Sequence, residues 1–185
     1  MINENTKLNE VLTFWFEELS EEQWFTKSDE VDQTIVERFS ELHAEVVAGE
    51  YWKFRMSGKS LLAEVIILDQ FSRNMFRNSA QAFAQDSLAL ALSQQAIAGK
   101  FDTEMTKDER MFLYMPFMHS ESKVVHVAAV PLFQSLGIES TLEFEHIHKE
   151  IIDRFGRYPH RNETLGREST IEEKEYLAST TESFF

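Results

Sequence analysis

Lys59–Asn78 reads KSLLAEVIILDQFSRNMFRN, and this stretch decides the fold class. From Leu61 to Leu68 every residue except Glu64 is apolar, which is the pattern of a helix buried on all sides. The stripe Leu62, Ile66 continues at the same spacing to Asp69, Arg73 and Arg77. Charged side chains therefore stand in line with a core stripe. Asp69 and Arg73, four residues apart, meet on one helix face, with Arg77 one turn further on. Such a group is either a buried polar hub or a clamp for an anion.

The flanking sequence keeps the helical period. Leu8, Val11, Leu12, Trp15 and Phe16 mark a first helix over roughly Lys7–Leu19. Ser20 and Gln23 form a capping-box pattern ahead of Trp24-Phe25, read as a short turn that pins this helix. Val31, Ile35, Phe39, Leu42 and Val46 give a long helix over about Asp29–Ala48, stopped by Gly49. Ser79–Lys100 reads as one Ala-rich helix with Phe83, Leu88, Ala91, Leu92 and Ala96 inward. Thr106 and Glu109 box the start of the next, in which Pro116 predicts a kink or an early end. Glu121–Leu136 follows, with Ser120 as its cap and Pro131 as a second kink. Ser140 caps a helix ending near Gly156, whose stripe Phe144, His148, Ile151 and Phe155 points inward. Ser169 or Thr170 starts a last short helix, and the tail 179–185 lacks periodicity and is expected to fray, unless Phe184-Phe185 docks.

With six Gly, three Pro and no alternating β-branched runs, few positions in the sequence speak for strands. The expectation is one all-α domain over residues 1–178, with seven to eight helices in antiparallel stacked pairs. The chain has 185 residues, enough for an ordinary core, and sixteen Phe exclude global disorder. Absence of cysteine excludes disulfides, thiolate zinc sites and cysteine nucleophiles. A formal charge of −14 argues against general nucleic-acid binding. No run approaches the ~18 apolar residues of a membrane span. A soluble cytoplasmic protein is expected, with no cofactor implied and the oligomeric state open.

Arg154–Thr170, RFGRYPHRNETLGREST, is the basic counterpoint to this acidic chain. Six of the nine arginines lie within Arg73–Arg77 or Arg154–Arg167, whereas none of the nine lysines does. Guanidinium groups engage carboxylate or phosphate in two-pronged fashion, so the bias favours directional pairing. Pro159 and Gly166 mark an ordered loop. The anion-binding candidates are Arg73, Arg77, Arg157 and Arg161, supported by Asp69, Asn162 and Arg167. His119, Glu121, His148 and His160 are the acid–base candidates. Glu145-x-x-His148 and Glu143-x-x-His146 have a di-metal spacing but no second copy, so no metal site is assigned.

Taken together, the blocks resemble an uncharacterised bacterial family, domain of unknown function 924. They are Phe14-Trp15-Phe16, Trp24-Phe25, Asp69-Gln70-Phe71 with Arg73-Asn74 and Arg77, and Ala82-Phe83-Ala84 with Asp86. Glu109-Arg110 with Phe112-Leu113-Tyr114, His119-Ser120-Glu121, and Arg157–Asn162 with Leu165-Gly166-Arg167 and Ser169-Thr170 complete the set. The resemblance implies an all-helical fold like tetratricopeptide-repeat superhelices and supplies no activity. His126 departs from it, standing where the family pattern has Gln. Two functions follow as expectations. One is a site for an anionic small molecule carrying phosphate or carboxylate. The other is a helical scaffold for a peptide or protein partner, its charged motifs serving only as an internal ion-pair network.

Overall fold

In the computed structural model, which describes residues 4–179, every regular element is helical. α1 (Glu4–Thr13) runs straight into a π-helical turn, Phe14–Glu18, and α2 (Glu21–Phe25) and α3 (Asp29–Val47) follow. α4 (Gly58–Val65), a π-helical turn (Ile66–Phe71) and α5 (Ser72–Met75) form one unbroken rod. The remaining helices are α6 (Asp86–Ala98), α7 (Lys107–Met118), α8 (Lys123–Leu136), α9 (Glu139–Phe155) and α10 (Ile171–Ser179). With the α4–α5 rod taken once, nine helices stand among the described residues. The one beyond the expected eight is α2, which the sequence suggested as a turn. Its capping box is formed, and Trp24 Nε1 donates to the Trp15 carbonyl at 2.7 Å, pinning α2 to the end of α1.

The rod is the centre of the molecule. Leu61, Leu62, Ala63, Ile66, Ile67 and Leu68 are wholly buried, because α4 packs against α1, α6 and α7. Glu64 is equally buried and would be costly alone. Arg55 answers it with two donors, Nε at 2.9 Å and Nη2 at 2.7 Å from Oε2. An aromatic cluster closes one side of the rod, with Trp15 edge-on to Phe112 at 5.3 Å.

Several local expectations give way to packing. Ser79–Lys100 is not one helix: a 3-10 turn, Ala80–Phe83, precedes a break at Ala84 and Gln85, and α6 begins at Asp86. Ala91 is then on the surface, and Ser93 takes an inward place, its hydroxyl donating to the Leu113 carbonyl. Pro116 and Pro131 sit inside α7 and α8 without ending them. Each removes one backbone donor, and around Pro116 the side chains of Tyr114, Phe117 and Met118 are buried. Ser120 and Ser140 are not caps, since α8 and α9 start after Ser122 and Ile138, neither with a side-chain cap. Phe144 is exposed rather than inward, although His148 and Ile151 on its stripe are buried.

Thr106 and Glu109 form the expected capping box, as do Thr170 and Glu173 at α10. Residues 180–185 of the expected frayed tail, Phe184-Phe185 included, lie outside the described residues. Among the described residues no helix is long and apolar enough to cross a membrane.

Candidate functional site

Asp69 lies on the π-helical turn of the rod, where one wider turn re-aims the stripe; such turns recur at functional sites. Arg73 folds back on it, with Nη1 2.9 Å from Asp69 Oδ1 and 2.8 Å from the Asp69 carbonyl. Arg73 Nη2 then reaches Asp86, donating to Oδ2 at 3.1 Å. Oδ1 of Asp86 lies 3.0 Å from the same nitrogen, within ion-pair reach but off the line of a hydrogen bond. On the far side, Arg161 Nη1 donates to Asp86 Oδ2 at 3.1 Å. Two carboxylates and two guanidiniums thus alternate through the protein interior.

Arg161 is the unusual member. Its guanidinium carbon sits 4.5 Å from the ring centre of Phe83 and 4.5 Å from that of Tyr158. Its Nε is buried with no hydrogen-bond partner. Arg55, Arg77 and Arg157 all fill the edge formed by Nε and Nη2 with a carboxylate. Arg161 spends only Nη1 on one. Burial and the neighbouring Arg73 lower its pKa, against the opposing pull of Asp86.

His119 closes α7 and places Nδ1 2.8 Å from Asp69 Oδ1. Burial works against ionisation of Asp69, but Arg73 and His119 outweigh it and hold the carboxyl well below the usual range. Asp69 is therefore an acceptor, so Nδ1 of His119 carries the proton and Nε2 the lone pair. Burial lowers the His119 pKa, with Asp69 opposing, which keeps the ring neutral at physiological pH.

Two cavities adjoin across Phe83 and Arg161, which line both. One, of about 340 Å³, is walled by Lys27, Arg73, Arg77, His160 and Arg161, and no carboxylate residue lines it. The other, of about 250 Å³, has His119, Glu121 and Asp86 opposite Ala80, Leu90 and Pro116. The size of each is near the lower end for small-molecule sites, roughly 300–1,000 Å³.

The profile of a family described as "Bacterial protein of unknown function (DUF924)" matches residues 11–181. The chain belongs to DUF924. It is also similar to a solved structure, "Structure of Protein of Unknown Function ATU0120 from Agrobacterium tumefaciens". The two share 34% identity, with a TM-score of 0.92 over 96% of this chain and 100% of that one. Among curated proteins no relative matches.

In this DUF924 chain, the candidate residues divide. Arg73, Arg77, Arg161, His119, Glu121 and His160 come to the two cavities. Arg157 does not: it pairs with Glu173 at 2.6 Å and ties the loop to α10. Glu121 is held by Arg167, whose Nη1 and Nη2 lie 2.7 and 2.9 Å from its two oxygens, and by the Tyr158 N–H at 2.8 Å. Burial would raise the Glu121 pKa, yet those donors keep it lowered. Asn162 accepts from Arg167 and donates to Ser169, so both Asn162 and Arg167 brace the loop. His148 lines neither cavity; its Nδ1 bonds the Phe144 carbonyl at 2.8 Å, and burial pushes its pKa down to about 4. His160 is pushed down to about 3 by burial and then by Arg161.

Glu145, placed by its spacing with His148, is instead bound at 2.8 Å by His126, the residue that departs from the family pattern. The other nitrogen of His126 lies 2.9 Å from the Ser120 carbonyl. A carbonyl only accepts, so that nitrogen is the donor. Among the described residues no group of three or more His, Asp or Glu is arranged to hold a metal.

Asp86, Phe83, Tyr158 and Lys27 were missed as site residues. Their only sequence signal was membership of the motif blocks for Phe83, Asp86 and Tyr158, and none at all for Lys27.

Proposed function

We propose that this protein binds an anionic small molecule, a phosphate or carboxylate, at the junction of the two cavities. The observation that carries this is Arg161: deeply buried, its guanidinium carbon 4.5 Å from each of two aromatic ring centres, and with its Nε lacking a protein partner on a wall that Lys27, Arg73 and Arg77 extend. A guanidinium edge of this kind takes two oxygens of one oxyanion. The rings of Phe83 and Tyr158, each 4.5 Å from the guanidinium carbon, hold that group in place. Lys27 supplies a point charge for a third oxygen; its pairing with Asp29, at 3.7 Å on the surface, is loose.

Calorimetry and thermal melts with inorganic phosphate, pyrophosphate and citrate test the reading. At least one should bind and raise Tm, and Lys27→Ala should weaken it by several-fold while leaving the unliganded Tm within a degree or two. Arg161→Lys should weaken binding more, since it keeps charge but loses the two-pronged edge. If none of the three anions binds at millimolar concentration, the alternative stands: a tetratricopeptide-like scaffold whose charges form only an internal network.

A further inference from the structure

From the Asp69–His119 pair beside Arg161 we infer that the protein is a hydrolase of phosphate monoesters, with His119 as the general base. This rests on the anion site above and assigns that site a reaction. His119 and Arg161 line the same cavity of about 250 Å³, so a phosphoryl group held there by Arg161 shares that cavity with His119. Asp69, 2.8 Å from Nδ1, fixes the ring and its tautomer, which makes Nε2 the basic nitrogen. Arg73, also bound to Asp69, keeps that carboxylate ionised, and Asp69 draws a proton onto the imidazole against the opposing effects of burial and of Arg73.

The two cavities give the reaction its direction. The His119 side takes the attacking water, and the cationic side takes the ester. Water oxygen bonds to phosphorus as the bond from phosphorus to the alcohol oxygen breaks. The electron pair leaves with the alcohol oxygen, which takes a proton from solvent, while the water's proton passes to His119 and then to solvent. The net change is water and phosphate monoester to alcohol and inorganic phosphate. Arg161 and Lys27 face the equatorial oxygens, where charge concentrates as the phosphoryl group is transferred.

Vanadate, which adopts the five-coordinate geometry of the transferring group, separates this reaction from mere binding. Transition-state analogues bind more tightly than ground-state ligands, so vanadate should bind at least roughly 100-fold more tightly than inorganic phosphate. His119→Gln, whose amide can still donate to Asp69, should keep phosphate affinity within about threefold and abolish the vanadate advantage. Equal affinity of the wild-type protein for both ions overturns the hydrolase inference and leaves anion binding intact. Binding of neither ion sinks the anion site itself. Should His119→Gln fail to fold, a crystal structure of the wild-type vanadate complex decides. It must show vanadium at Arg161 with an oxygen hydrogen-bonded to His119 Nε2, and vanadium anywhere else refutes the assignment.

Discussion

Replacing Asp86 with Asn removes the carboxylate that Arg73 and Arg161 share. The alternating quartet Asp69, Arg73, Asp86 and Arg161 is balanced in charge, and the variant leaves it with one uncompensated positive charge. The guanidiniums are almost completely buried, with 8% and 7% side-chain exposure, and the Asp86 side chain is 19% exposed. Breaking a buried pair by removing one partner costs about 3–5 kcal/mol. Asp86 borders a cavity that admits water, so screening reduces this to roughly 2–4 kcal/mol. At about 2–4 °C per kcal/mol for a chain of this length, Tm should fall by roughly 4–16 °C. Guanidinium unfolding followed by tryptophan fluorescence measures the loss. A double-mutant cycle with Arg161→Met should give a coupling of at least about 1 kcal/mol, because these groups touch. Asp86→Asn should also bind phosphate more tightly than the parent, the anion replacing the lost carboxylate. A loss below about 1 kcal/mol with no coupling would refute the charge-balanced quartet.

Other expectations concern parts further from the cavities. Tyr158→Phe strands the Met118 carbonyl that the hydroxyl now bonds, and should cost about 1–3 kcal/mol by chemical denaturation; a neutral change would mean that water replaces the hydroxyl. Thr106→Ala removes half of the capping box at α7 and should cost about 0.5–2 kcal/mol, with Ser restoring most of it. For pH, the sign follows from His148, buried and neutral with its pKa pushed down to about 4. Above pH ~6.5 neither folded nor unfolded chain protonates this ring, so it adds no slope. Below that, the unfolded chain takes up a proton that the folded one refuses, and stability falls by up to ~1.4 kcal/mol per pH unit until the folded pKa is reached. His148→Gln should flatten the stability curve over that acid range, and an unchanged curve would show the ring to be protonated in the fold.

The buried rod was legible because its cause is local. Leu61–Leu68 leaves no polar face, and such a helix must be surrounded. The capping boxes at Ser20 and Thr106 were legible for the same reason, three residues of spacing sufficing to specify them. At α10 that spacing left Ser169 and Thr170 both open, and the box formed is that of Thr170 with Glu173. Pro116 did not bring α7 to an early end, because the penalty of an interior proline is local, whereas the burial of its neighbours comes from other helices. The division of Ser79–Lys100 was hidden in an Ala-rich composition that supports helix throughout.

The sequence by itself determined that the chain is helical, which helix is central, and that arginines gather in two segments. Apart from Arg73 with Asp69, four residues away on one helix, tertiary structure alone decided which carboxylates the arginines meet. With 32 acidic residues against 18 basic ones, local pattern leaves that choice open, since every arginine has many acidic partners within a flexible chain's reach. Packing resolved it by bringing Arg161 to Asp86, 75 residues away, and Arg157 to Glu173. It also set Arg161 against the rings of Phe83 and Tyr158 with its Nε unengaged, because Phe83 arrives there from one segment and Tyr158 with Arg161 from another.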